Sequence, residues 1–143
     1  MIVPDVNVLV HAYHRDAAKH ERYAEWLADV VAGQEELGLV EAALTGFLRV
    51  VTHPRIYADP APSTEALVFV ATLRGGRQAR TLAATEATWQ HFADIAAADR
   101  QVRGVLVPDA WLAAMARSHG GRLATADRGF ARFPGLRWFD PVA

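Results

Sequence analysis

Apolar residues follow two rhythms along this chain. Short unbroken runs alternate with longer stretches in which apolar side chains recur every three or four positions. Unbroken runs suit strands buried on both faces, and the longer period suits helices with one apolar stripe. The opening MIVPDVNVLVHAY holds both. Ile2 to Pro4 predicts a strand, and Val8, Leu9, Val10 and Ala12 predict a helix through about Tyr13. Asp16 suits the N-cap of a second helix that Gly33 ends, with Tyr23, Leu27, Val30 and Val31 on one face. Residues 38–40 read as a second strand, and Leu44, Phe47, Leu48 and Val51 place a helix over 41–52. A loop with Pro54, Pro60 and Pro62 leads to a helix for which Ser63 is the predicted cap. Residues 80–85 form a weak strand pattern, followed by a helix over 86–104 that Gly104 should close. A helix over 108–121, a strand over 122–127, a short helical turn and a last strand over 136–140 complete the pattern.

Strands alternating with helices predict an α/β domain with a mostly parallel sheet. In such sheets ligands bind outside the carboxyl ends of the strands, where the strand order reverses. Three runs end alike: MIVPD, VLVPD and RLATAD. Each is apolar, each finishes in aspartate, and each precedes a helix or helical turn. If all three are strands leading to one sheet edge, Asp5, Asp109 and Asp127 converge. Each aspartate taken alone also suits a helix N-cap. Taken together they repel one another, and a bound divalent cation resolves the conflict. Oxygen donors favour Mg²⁺ or Mn²⁺. Asn7 can hydrogen-bond Asp5 or simply sit in the first helical turn. Thr125 can offer a hydroxyl to the same site or serve only as a strand residue.

Composition narrows the chemistry. The 143 residues are 52% hydrophobic, enough for a core, and include no cysteine. That excludes disulfides, thiolate zinc sites and a thiol nucleophile. The six histidines show no HExxH spacing, and no GxSxG, Walker A or GxGxxG motif occurs. No apolar run approaches the ~20 residues of a membrane span, and no signal peptide is evident. A cytoplasmic protein is therefore expected, with no membrane partner. A net charge of −1 excludes strong nucleic-acid binding by bulk charge, but not a local grip.

The assembled set resembles the PIN-domain nucleases, and within them the VapC toxins of bacterial toxin–antitoxin pairs. PDVNVLVHAY is similar to the family's opening D-x-N-x-L-x-Y/H-A, and GFLRVVTHPRIY to an F-x-R-x-V-T-N-P-R block. PDAWLAAMARSHGGRLATADRGFARF resembles the closing D-A-x-L-A-A…G-x-x-L-x-T-x-D-x-x-F-x-R-F. The resemblance implies a single PIN-like domain over 1–143, three α/β/α layers with a mostly parallel sheet of four to five strands. It implies Mg²⁺ or Mn²⁺ held by Asp5, Asp109 and Asp127, endonucleolytic hydrolysis of RNA, a VapB-type antitoxin and a homodimer. Two positions depart from the family pattern. Gly46 stands where many relatives carry glutamate, and Gly129 where many carry aspartate. Glu41, near the start of the same helix, is a candidate replacement for the first; it equally suits a first helical turn. Arg49, His53, Arg55, Arg128 and Arg132 are candidate substrate contacts, and Tyr57 and Trp111 could stack on a base or be core. Tyr23, Trp26 and Leu27 with the 41–51 helix could form a groove for an antitoxin helix. Rival readings are a non-catalytic PIN-fold binding module and a DNA-directed nuclease. A phosphoaspartate phosphatase is disfavoured, because position 7 is Asn rather than a second acid.

Overall fold

A computed structural model describes residues 1–143. Five strands form one wholly parallel sheet: β1 (Ile2–Pro4), β2 (Leu37–Val40), β3 (Ala79–Leu82), β4 (Arg122–Ala124) and β5 (Trp138–Phe139). Their order across the sheet is β3-β2-β1-β4-β5. Six helices surround it: α1 (Val6–Tyr13), α2 (His20–Ala32), α3 (Glu41–Val51), α4 (Ser63–Arg74), α5 (Glu86–Ala98) and α6 (Val107–Ser118). Two apolar cores lie on opposite faces of the sheet. Val3, Leu82 and Leu123 pack with Ile95 of α5 and the alanine-rich α6, while Leu37 and Leu39 pack with Leu9, Leu27, Phe47 and Leu73 of the first four helices. Strands buried on both faces account for the unbroken apolar runs. The architecture is the expected three-layer α/β/α arrangement.

The chain leaves β1 toward β2 and β3 on one side, then returns to β4 and β5 on the other. Strand order therefore reverses between β1 and β4, which pair in register from Ile2–Arg122 to Pro4–Ala124. The residues just past these paired ends are Asp5 on one strand and Thr125 to Asp127 on the other.

Several predicted boundaries are corrected. VLVPD is not a strand. Gly104 turns the chain at φ +55°, residues 104–106 form a 3₁₀ turn, and Val107 already begins α6. Val105 is 91% exposed, so the apolar run marks a surface turn. The 86–104 helix stops at Ala98 rather than at Gly104. Asp16 caps nothing: α2 begins at His20, after Lys19 in a left-handed conformation. Its start is held instead by His20, whose Nδ1–H donates to the His11 carbonyl at 2.9 Å. Ser63 is the first residue of α4 and makes no capping bond. The apolar groove also lies elsewhere than expected. It runs between α2 and α4, lined by Leu27, Ala28, Val31, Phe69 and Leu73, not between α2 and α3. Tyr23 and Leu27 are core residues, while Trp26 packs edge-on to Phe139.

Candidate metal centre

A cleft of about 830 Å³ opens at the reversal point. Asp5 and Asn7 line it from the start of α1 and His11 from its last turn, Thr45, Gly46 and Arg49 from α3, Asp109 from α6, and Asp127 from beyond β4. All three aspartates predicted from sequence reach this cleft. Asp109 does so by a different route, from the first turn of a helix rather than from a strand end.

Asp5 is the most enclosed of them, only 5% exposed. It caps α1 and faces the cleft at once. Its Oδ1 accepts the Val6 N–H at 2.6 Å. Its Oδ2 accepts the Asn7 amide at 2.7 Å and the Thr125 hydroxyl at 2.8 Å. Asn7 in turn accepts the Ala126 N–H at 3.0 Å through Oδ1, which fixes its amide and ties α1 to the end of β4. Thr125 is fully buried, and its oxygen accepts the Asp127 N–H at 3.0 Å. Asp127 Oδ1 caps the 128–132 turn by accepting the Gly129 N–H at 2.7 Å, leaving Oδ2 to the cleft. The capping and site roles thus coexist in Asp5 and in Asp127.

Burial is the largest influence on Asp5. It raises the pKa from 3.8 to about 6, against the hydrogen bonds from Thr125 and Val6, and the charges of Asp109 and Asp127 add to the rise. Asp109 is also raised, first by burial and then by Asp127, with Arg132 opposing. The acids therefore feel one another's charge. No three acidic or histidine side chains close tightly enough to enclose an ion by themselves. This donor set fits a hydrated hard cation: Mg²⁺ retains several waters and needs only one or two carboxylates. The N-termini of α1 and α6 favour the ionised acids.

Other expectations separate. Glu41 is not in the cleft; it lines a smaller groove with Arg74 and Thr81, because α3 turns it away from the face that carries Ala42, Thr45, Gly46 and Arg49. Position 46 has little room for any acid, since a Cβ there would lie 2.9 Å from Val6 Cγ2. At Gly129 a Cβ would lie 2.9 Å from Asp127 Oδ1. Arg49 lines the cleft. Arg132 is engaged with Asp99 at 3.0 Å and Gln101 at 2.6 Å. His53, Arg55 and Arg128 do not line it; His53 Nδ1 accepts the Arg55 N–H at 3.0 Å. Tyr57 stacks on His14 and Trp111 packs at a tilt against Trp89, and neither lines the cleft. His11 and Thr45 also line the cleft, and neither was among the predicted site residues. Helical spacing could have found both, since His11 follows Asn7 by four and Thr45 precedes Arg49 by four.

The family description "PIN domain" matches residues 2–136. Ribonuclease VapC43 of Mycobacterium tuberculosis is 38% identical over 142 residues, covering 99% of this chain and 96% of the relative. Ribonuclease VapC33 of the same organism is 34% identical over 145 residues, covering 99% of each. Among solved structures, VapBC2 from Rickettsia felis, bound to a promoter DNA fragment, superposes with a TM-score of 0.72 at 15% identity over 98% of both chains. Mycobacterium tuberculosis VapC20, a sarcin-ricin loop cleaving toxin, gives 0.66 at 16% identity, covering 96% of this chain and 99% of that one. At such identities these two structures speak to the fold alone.

Proposed function

The chain belongs to the PIN-domain family, in its VapC ribonuclease branch, and from that premise we propose that the cleft is the active site of a divalent-metal-dependent endoribonuclease. The observation that carries this reading is the meeting of Asp5, Asp109 and Asp127 in one cleft, with Asn7 and Thr125 bonded to the most buried of them. Asp5, Asp109 and Asp127 would hold the cation, Mg²⁺ or Mn²⁺. When bound, such a cation polarises a phosphoryl oxygen and lowers the pKa of water, so that water can attack a phosphodiester. The protein's own part is positional. Thr125 and Asn7 keep Asp5 in one orientation by donating to the same oxygen. Burial by α1 and α3 raises the strength of every charge interaction in the cleft. Arg49, on the facing helix, supplies a cation to the substrate's phosphates. No nucleophilic side chain is required, in keeping with the absence of cysteine.

The protein acts as the toxin half of a type II toxin–antitoxin pair. The α2–α4 groove, about 380 Å³ and almost wholly apolar, suits the apolar face of an antitoxin helix. No helix is long and apolar enough to cross a membrane.

Inducible expression of wild type and Asp5→Ala, with total RNA examined from both, tests the reading. Growth arrest and defined RNA fragments with wild type alone are expected. Two folded proteins that neither slow growth nor cut RNA would instead favour a binding module. Side-by-side cleavage of matched RNA and DNA strands separates the ribonuclease from a DNA-directed nuclease.

A further inference from the structure

Besides Thr45 and Arg49, the cleft holds an imidazole that the acid network does not use. His11 lies one helical turn beyond Asn7 and lines the same cleft. Its ring is stacked on that of buried Tyr23, with centroids 5.0 Å apart and planes inclined by 18°. Tyr23 is fixed in turn, its hydroxyl donating to Asp140 Oδ1 at 3.0 Å. The imidazole is therefore held by ring contact rather than by hydrogen bonds. Its Nδ1 is buried and has no partner, whereas Nε2, also without a hydrogen bond, is not buried, and the residue lines the cleft. Burial lowers the pKa of this histidine, with the Asp140 charge opposing, so the ring is neutral near pH 7.

A neutral imidazole carries one N–H. Orphaned buried N–H groups are rarer than under-satisfied acceptors, which puts the proton on Nε2 and leaves only a lone pair at the buried Nδ1. The cleft thus gains a donor without gaining a fixed positive charge that would compete with a cation. One face of the ring is covered by Tyr23, so its edge is what a ligand meets.

Resting on the ribonuclease reading, we propose that His11 is a substrate-positioning residue whose Nε2–H donates a hydrogen bond to a phosphate oxygen of the RNA backbone beside the scissile bond. It shares this task with Arg49, which lines the cleft from the neighbouring helix. A hydrogen bond to a charged group is stronger than a neutral one, and its loss should weaken substrate binding by about tenfold or more.

The test uses His11→Phe, which keeps the stack on Tyr23 and removes both ring nitrogens, and His11→Gln, whose amide N–H can reach the region of Nε2. Expected for His11→Phe are a wild-type melting temperature, unchanged Mn²⁺ affinity by titration, kcat within about threefold, and KM for RNA raised about tenfold. His11→Gln should recover most of that KM. A wild-type KM in folded His11→Phe overturns the proposal. So does a fall in Mn²⁺ affinity parallel to the rise in KM, which would make His11 part of the acid network. If wild-type protein itself neither binds nor cuts RNA, the ribonuclease reading fails and the role of His11 fails with it. If wild type cuts RNA and His11→Phe matches it, the role of His11 alone is lost.

Discussion

At the scale of single residues, the site turns on how Asp5 is held. One of its oxygens accepts from two side chains and the other from the backbone, so the carboxylate has a single orientation. Asp5→Asn keeps the shape and removes the charge. Cleavage should fall at least ~100-fold while the melting temperature stays within a few degrees, a pairing that thermal unfolding and an RNA cleavage assay can check together. Thr125 acts through Asp5 rather than on substrate. Thr125→Val keeps the volume but leaves Asp5 Oδ2 one donor short. Metal affinity should drop roughly 10–100-fold, the usual effect of losing a partner that orients a ligand. Thr125→Ser should restore it, and a Val variant with unchanged Mn²⁺ affinity would refute this role. Asp5 and Asn7 were legible from sequence because a carboxylate directly after Pro4 interrupts two apolar elements. Glu41 was not, because position along α3 says nothing about which way the helix has turned relative to the sheet. Only packing of Phe47 and Leu44 into the core sets that rotation.

At the scale of elements, periodicity located every helix and strand except one supposed strand. VLVPD has the same apolar pattern and the same Val-Pro-Asp ending as MIVPD, yet MIVPD is flanked on both sides by paired strands and VLVPD by a glycine at positive φ. A short apolar run cannot reveal which environment it will meet. The caps failed for a related reason. Asp16 and Ser63 are good capping residues, but α2 starts where His20 meets the end of α1, and Pro62 takes the cap position of α4, so tertiary contact and proline geometry override side-chain preference. Asp5 and Asp127 do cap, and a further cap, at α5, was not foreseen. Thr85 accepts the Thr88 N–H and donates its own N–H to the Thr88 hydroxyl, which also meets Ser118 of α6 at 2.8 Å. Thr88 is fully buried. Thr88→Val should therefore strand the Thr85 N–H and remove the α5–α6 hydrogen bond to Ser118, whose hydroxyl keeps only the Met115 carbonyl. A loss of on the order of 1–3 kcal/mol is expected, lowering Tm by roughly 3–10 °C without changing cleavage of RNA by the folded protein. Calorimetry alongside an RNA assay measures both, and an unchanged Tm would show that the cap does not hold α5 to α6.

At the scale of the whole molecule, strand order explains why residues far apart in sequence share one cleft. The reversal between β1 and β4 brings the two strand ends side by side, and α6 then only has to present its first turn to the same opening. The arrangement concentrates negative charge in a partly buried place, and that has a consequence for stability. Asp5 has a folded pKa raised from 3.8 to about 6, chiefly by burial, and Asp109 is raised as well. The folded state thus binds these protons more tightly than the unfolded chain does. Linkage then requires metal-free stability to fall as pH rises from about 4 through about 6. For Asp5 the difference is worth on the order of 3 kcal/mol. The lowered carboxyls Glu35 and Asp99 do not mask this, since their stabilisation is present above ordinary carboxylate values and is lost only at lower pH. A divalent cation binds the ionised acids and reverses the effect by mass action. Melting curves from pH 4 to 6 should therefore decline without metal, before the lowered His11 works against the trend toward its ordinary value of 6.5, and should flatten with millimolar Mg²⁺ or Mn²⁺. The cation-dependent gain in Tm should be largest near pH 7 and vanish toward pH 4. In Asp5→Asn most of the metal-free slope should disappear. Melting temperatures that rise across pH 4–6 in chelator, or a Mg²⁺ effect independent of pH, would mean that the acids do not carry the mutual strain this cleft gives them.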